Sequence, residues 1–328
     1  MRKPLRRGPV RMAAVAAGAA LALSACGGGS VSDQTEANES QAAAGGGDCG
    51  EFNILVHPWV GYTADAYVVG KVAEEELGCT VNYVELKEGG PSYQALASGD
   101  GDVILEEWSH QAELAAAVED GTAVDLGSMG AVGVIGWYVP GWLGEEHPEV
   151  LDWENLNDFA DEFKTSESGS QGQFLGSDPT FTQYDEAIVK NLDLDFKVVF
   201  SGSEAASIQA FERAEKNKEF LIGYFYEPQW LFADLELQKV ELPPYEEGCQ
   251  DDPAKVACDY AETELKKVAS KEFLDSGSPA ADLVQKWEWT NDDQNQVAAY
   301  ISQDGMSGED AAAKWIADNP DKVKAWLG

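Results

Sequence analysis

The sequence predicts an α/β protein of two lobes, with the chain crossing twice between them. Three observations carry this expectation. Strand-like and helix-like patterns alternate over residues 52–105, and a second alternation follows over 153–226. An apolar, glycine-spaced stretch at 130–139 and the stretch 239–242 bracket that second region and supply the crossings. Alternation at this spacing gives a parallel sheet with helices on its faces.

Each element has a local reason. Phe52-Asn53-Ile54-Leu55-Val56 reads as a buried strand, and residues 64–77 read as a helix that Gly78 stops. Thr80-Val81-Asn82-Tyr83-Val84 is the second strand. A short helix over 92–98 ends at Gly99, and Asp102-Val103-Ile104-Leu105 is the third strand. Gly130-Ala131-Val132-Gly133-Val134-Ile135-Gly136-Trp137-Tyr138-Val139 is an apolar, glycine-spaced strand suited to crossing between lobes. In the second region, helices are expected near 153–163, 184–192 and 203–216, with strands at 197–201 and 220–226. Lys239-Val240-Glu241-Leu242 crosses back, and the tail reads as helical over 259–269, 292–303 and 308–326. No internal repeat is evident.

The amino-terminal residues read as an export signal. Arg2, Lys3, Arg6, Arg7 and Arg11 form a basic segment, and residues 12–23 are apolar but too short to span a bilayer as a mature helix. The segment ends in Leu23-Ser24-Ala25-Cys26, which resembles the lipobox of bacterial lipoproteins and implies lipidation of Cys26. Residues 27–47 are rich in Gly, Ser, Ala, Gln and Glu and have no aromatic side chain, so they cannot bury enough surface to order themselves. The expected division is a signal peptide over 1–25, a flexible tether over 26–48, one lobe from 49–131 and 239–328, and a second lobe from 132–238. The protein is therefore expected outside the cell membrane and anchored to its outer face.

Charge and cysteines agree with that compartment. The chain has 22 basic and 59 acidic residues; five of the basic ones lie in 1–25, so the remainder carries a net charge of −42. Nucleic acid and anionic membrane surfaces repel such a chain, and a cationic ligand is modestly concentrated by it. Besides Cys26 there are four cysteines, Cys49, Cys79, Cys249 and Cys258, with no CxxC, and the three histidines lie at no metal-ligand spacing. An even count in an exported chain points to disulfides rather than a metal site. Of the three connectivities possible, Cys49–Cys79 and Cys249–Cys258 are favoured. The first pair precedes two parallel strands whose starts share a sheet edge, and the second closes a short loop.

The densest chemical signal is Tyr224-Phe225-Tyr226-Glu227-Pro228-Gln229-Trp230, which follows the short apolar run Phe220-Leu221-Ile222-Gly223. Proline stops regular structure at that point, so these rings fall on a strand-to-loop transition. In open α/β sheets that edge holds ligands. Clustered ring faces there suit a quaternary ammonium group, which accepts no hydrogen bond and is held by ring quadrupoles.

Several anchors, in order and spacing, resemble a glycine betaine or related quaternary-amine binding protein of an ABC importer. Ser92-Tyr93-Gln94-Ala95-Leu96-Ala97-Ser98-Gly99-Asp100-Gly101-Asp102-Val103 resembles that family's ALASGDxDV segment, and Glu106-Glu107-Trp108 follows where the family places a box aromatic. Gly136-Trp137-Tyr138-Val139-Pro140 resembles its GYxV entry into the second lobe. Asp178-Pro179-Thr180-Phe181 stands at its Asn/Asp-Pro-Gly-Trp turn, and residues 224–230 resemble its YYxWTPxW segment. The resemblance covers most of residues 50–328. It implies a two-lobed, periplasmic-binding-protein-like fold with two hinge crossings. It also implies an aromatic box from Trp108, Phe181 and Tyr226, and backbone donors from Thr182 and Gln183 to a ligand carboxylate. Trp59 and Tyr62, after the first strand, are further wall candidates. Phe181 and Tyr226 stand where the family often has tryptophan.

The function so implied is capture of glycine betaine or a related osmolyte and its delivery to a permease with its ATPase. The protein would act as a monomer, without a cofactor and without catalysis. A choline- or carnitine-type binding protein is the alternative; Glu106, Glu107 or Glu227 facing the pocket would favour a ligand without a carboxylate, such as choline. Of the pair Glu106-Glu107, strand alternation lets one face the cleft and leaves the other solvated. A lipid-anchored carbohydrate-active enzyme is the reading from a different class, since aromatic sugar platforms resemble aromatic boxes. No GxSxG, HExxH or phosphate-binding glycine loop supports an enzyme.

Overall fold

The computed structural model describes residues 49–328. The signal peptide (1–25), Cys26 and the tether (26–48) expected above lie outside the described residues. The fold opens with β1 (Glu51–Val56) and α1 (Val60–Leu77). Gly78 ends that helix in the left-handed region at φ 70°, where its N–H bonds to the Ala73 carbonyl. β2 (Thr80–Glu85), α2 (Gly90–Ser98), β3 (Val103–Glu107) and α3 (Gln111–Glu119) follow. β4 (Ala123–Val139) is the long crossing strand. Next come α4 (Gly141–Glu146), α5 (Leu156–Phe159), β5 (Gly172–Gly176), α6 (Asp185–Asn191), β6 (Phe196–Phe200), α7 (Glu204–Asn217), β7 (Ile222–Glu227), α8 (Leu231–Asp234) and β8 (Gln238–Lys239). β9 (Thr263–Ser270) leads into α9 (Lys271–Asp275), α10 (Pro279–Lys286), α11 (Asn291–Ser302), α12 (Gly308–Asp318) and α13 (Pro320–Leu327).

The strands run in the order β2-β1-β3-β9-β4-β7-β5-β6, with β8 beside β4. β1 pairs in parallel with β2 and β3, and β5 pairs in parallel with β6 and β7. Between these two parallel groups, β9 and β4 run antiparallel to their neighbours, so the sheet is mixed rather than wholly parallel. β4 does what its glycine-spaced sequence predicts. Its first part pairs with β9 as far as Gly133, and from Val134 it pairs with β7.

Four expected elements differ. Residues 259–269 read as a helix, but β9 occupies this stretch as an interior strand, with Leu265, Lys267, Val268 and Ala269 all buried. Pairing on both sides, to β3 and β4, outweighs the helix propensity of its Ala, Glu, Leu and Lys. The helix expected over 153–163 is a 3-10 turn at Trp153–Asn155 followed by four residues of α5; the Asp152 carboxylate caps the turn by accepting from Glu154 N. The helix expected over 308–326 breaks into α12 and α13 at Pro320, which lacks the N–H that continuation needs. The strand expected at 239–242 shortens to β8, which pairs with Tyr138 and Val139 on the edge of β4 opposite β7, and the chain returns to the first parallel group through β9.

The cysteines meet as the strand placement predicts. Glu51 is opposite Thr80 in the parallel β1–β2 pair, which sets Cys49 and Cys79 side by side with Cα atoms 4.8 Å apart. Cys249 and Cys258 approach across a short loop, with Cα atoms 6.4 Å apart. The tail packs through Trp287, Trp289, Trp315 and Trp326, all buried, with the last two stacked 5.7 Å apart. Among the described residues no helix is long and apolar enough to cross a membrane.

Candidate functional site

Five strands from two oppositely running parallel groups end at one place. The segments leaving β1, β2, β3 and β5, and the end of β7, carry Trp59, Glu88, Trp108, Phe181 and Tyr226. Together with Ile135, Thr182 and Tyr224 these residues line a small cavity. Carboxyl ends of parallel strands are the edge where side chains from separate loops converge.

Four rings form its walls, each nearly perpendicular to the next. Trp59 meets Phe181 at 82° and 5.5 Å, Phe181 meets Tyr226 at 86° and 6.1 Å, and Tyr226 meets Trp108 at 79° and 5.5 Å. The fourth corner is closed from behind by Glu106. Its carboxylate accepts from Trp108 Nε1 at 2.6 Å, from Trp59 Nε1 at 3.2 Å and from Gln294 Nε2 at 2.8 Å. Gly133 makes room for the Trp108 ring, since a Cβ there would stand 2.5 Å from it.

Both halves of the sheet support the Phe181 turn. Asp178 accepts from the Thr180 backbone and hydroxyl, and its carbonyl accepts from Phe181 N. Thr182 Oγ1 donates to the Trp108 carbonyl at 3.1 Å, and Tyr224 Oη donates to the Thr182 carbonyl at 3.1 Å. Behind the turn, buried Asp185 accepts from Trp137 Nε1 and from Tyr260 Oη, each at 2.8 Å. Burial pushes the Asp185 carboxyl up to about 7, against these two donors.

The expected site residues separate into two groups. Trp59, Trp108, Phe181, Thr182 and Tyr226 meet around the cavity. Tyr62 does not: it packs edge-on behind Trp59, fully buried, and its hydroxyl accepts from Leu105 N at 2.8 Å. Gln183, expected through its backbone N–H, is outside the lining, and its side-chain Nε2 donates to the Asp178 carbonyl at 2.7 Å. Tyr224, outside the expected box, also lines the cavity.

The carboxylates also differ from expectation. Glu106 sits behind the rings rather than in the cavity, and Glu107 is buried, not solvated. Glu107 accepts from His110 N at 2.8 Å and lies 3.2 Å from His110 Nδ1. Glu227 is half-buried and outside the lining. The carboxyl that lines the cavity is Glu88. Its sequence signal is slight: an acidic residue before Gly89-Gly90, just beyond a strand. Burial pushes Glu88 up to about 8, opposed by His110, whose Nε2 lies 4.0 Å away. Burial likewise raises Asp65, which faces Glu106, and raises Glu106 itself. Two carboxyl groups facing each other in a dry interior do not both ionise, so the pair holds a proton.

Among the described residues no cluster of His, Cys, Asp or Glu is arranged to hold a metal ion. A family profile described as the substrate binding domain of an ABC-type glycine betaine transport system matches residues 50–318. The chain belongs to this family. A trimethylamine N-oxide-binding protein of Pelagibacter ubique (strain HTCC1062) is 28% identical over 279 residues, covering 81% of this chain and 87% of that protein. An ABC-transporter choline binding protein solved with choline superposes with a TM-score of 0.68 at 21% identity, over 85% of this chain and 92% of its own. A closed lactococcal protein of the family, solved with glycine betaine, gives 0.62 at 22% identity, over 85% and 99% of the two chains. These neighbours share the two-lobed, periplasmic-binding-protein-like fold. Family membership makes the protein an extracytoplasmic substrate-binding component of an ABC transporter, a binder of small quaternary amines and not an enzyme. The carbohydrate-active reading is thereby set aside.

Proposed function

We propose that the protein captures a compact trimethylammonium compound, with glycine betaine first in order, and delivers it to its permease. The observation that carries this reading is the box of four perpendicular rings at the meeting point of the strand ends. A methylated ammonium head offers no donor for hydrogen bonds, so ring faces are its natural partners. The rings enclose only a small space between them, which favours a compact head group over a bulky ligand. In this reading Trp59, Trp108, Phe181 and Tyr226 hold the head, and the Thr182 side lies at the anionic end. Four desolvated ring contacts at roughly 2 kcal/mol each give about 8 kcal/mol before association costs. Micromolar affinity needs about that much net, so contacts to the ligand's polar end and lobe closure complete the binding.

Glu88 is the polar group we assign to that end. Held neutral by burial at ordinary pH, its carboxylic acid donates to the oxyanion of glycine betaine or an N-oxide. A second reading, choline, draws on the same residue, because an ionised Glu88 would complement a ligand that carries no anion. Tryptophan fluorescence titration against glycine betaine, trimethylamine N-oxide, choline and carnitine, at pH 6.5 and 9, separates the two. Glu88 ionises as pH rises through about 8, so affinity for the zwitterions is expected to fall across that range. A choline affinity that is the strongest of the four and rises with pH overturns the first reading. No response to any of the four sinks both.

The wider assembly is part of the same proposal. Lipidation of Cys26 and a tether over 26–48 would hold a monomer at the outer face of the membrane, and Cys49–Cys79 and Cys249–Cys258 would be disulfides in that oxidising compartment. Lobe 1 comprises 49–131 and the tail, and lobe 2 starts at 132. We move the return boundary from 239 to about 262, because β8 pairs with Tyr138 and Val139 while Thr263 pairs with Gly133.

A further inference from the structure

Glu204 lies at the first turn of α7, between β6 and β7, and is buried although nothing in the ring box needs a charge there. Its two oxygens serve different halves of the molecule. Oε1 accepts from Tyr226 Oη at 2.6 Å and from Gln229 Nε2 at 2.5 Å, both in the β7 segment. Oε2 accepts from the Val60 backbone N–H at 2.9 Å, at the start of α1 and next to Trp59. One carboxylate thus joins a box ring on one side to the segment bearing a box ring on the other.

Val60 N belongs to the first turn of its helix, so it has no partner within α1. If the two halves move apart, that donor and the Glu204 oxygen both return to water. A contact made only when the halves meet stabilises the closed form and leaves the open form untouched.

We propose that Glu204 is the latch of the ligand trap, a positioning residue that ties the Tyr226 wall to the Trp59 segment and so slows ligand release. This rests on the trap reading above. It does not touch the ligand; it acts through Tyr226 and through Val60.

The test uses Glu204→Ala and Glu204→Gln in the exported chain, with stopped-flow fluorescence and small-angle scattering. The probe is whichever of glycine betaine, trimethylamine N-oxide or choline saturates the wild type. Glu204→Ala is expected to weaken binding roughly ten- to hundredfold, the scale of a lost charge-assisted hydrogen bond across a buried contact. The loss is expected in the dissociation rate, with association unchanged, and the ligand-saturated protein should be measurably more open. Glu204→Gln keeps one acceptor oxygen of the two, so it can serve only one side of the latch and should also speed release, by less than the alanine variant. Unliganded melting temperature should move little in Glu204→Gln, which keeps the test valid if the alanine variant folds poorly. A Glu204→Ala protein with wild-type release and wild-type scattering overturns the latch. So does a loss confined to the association rate. Failure of the wild type to bind any of the three probes overturns the trap reading instead.

Discussion

The two halves of the ring box are held by different physics. Trp59 and Trp108, from the loops after β1 and β3, both donate their indole N–H to the one buried carboxylate of Glu106, which Gln294 supports from behind. Phe181 and Tyr226, from the other half, have no such shared anchor. Phe181 has no polar atom and depends on the Asp178 turn beneath it, while Tyr226 is tied only through its hydroxyl to Glu204. In the first half one carboxylate orients two rings; in the second, Glu204 holds Tyr226 and also reaches Val60 N at the start of α1. In the latch proposal that last contact forms on closure, so one pair of walls is anchored within its own half and the other is completed across the site.

Removing the anchor should have the largest effect. Glu106→Ala leaves two indole N–H groups and the Gln294 amide without an acceptor in a buried setting. At about 1–3 kcal/mol for each unsatisfied donor, the expected loss of stability is about 4 kcal/mol. Both tryptophans lose their orientation together, so affinity should fall more than a hundredfold. Thermal unfolding and fluorescence titration would check the two losses. Wild-type affinity in a folded Glu106→Ala protein would erase the contrast between the halves.

Single-ring changes should be smaller and unequal. Trp108→Ala removes the strongest type of ring face and one anchored wall, an expected loss of about 2 kcal/mol or roughly thirtyfold in affinity. Phe181→Leu keeps the volume nearly constant and removes a weaker face, so about fivefold is expected. Calorimetric titration of the two variants with one ligand compares them directly. A larger effect at Phe181 than at Trp108 would mean that the unanchored half carries the cation.

Which of this was legible in the sequence follows from how each feature is encoded. Apolar runs ending at β1 and β7 are local signals that put Trp59 and Tyr226 at strand ends, whereas the places of Trp108 and Phe181 are implied by the family resemblance. The structure brings the four rings together. Features set by tertiary contact were not readable. Residues 263–270 have a helix-forming composition, yet two neighbouring strands draw them into the sheet as β9. Glu88 and Glu204 look like ordinary solvated acids among 59 acidic residues, and only burial distinguishes them. Tyr62 was close enough in sequence to Trp59 to count as a wall, but two turns of chemistry intervene: its hydroxyl is taken by Leu105 N, and its ring becomes the backing of Trp59.

The smallest expected change tests the looser half alone. Tyr226→Phe keeps the ring and the perpendicular contacts to Trp108 and Phe181, and removes only the hydroxyl that reaches Glu204. Glu204 retains Gln229 Nε2 and Val60 N, so no acceptor is orphaned. A net hydrogen bond of about 1 kcal/mol corresponds to roughly fivefold in affinity, and it should appear in the release rate. Combining Tyr226→Phe with Glu204→Ala in a double-mutant cycle sharpens the point. If the hydroxyl acts only through Glu204, the second substitution adds nothing to release once the first site is alanine. Full additivity would mean that Tyr226 Oη meets the ligand itself, and the second half of the box would then hold its own polar contact rather than borrow one from closure.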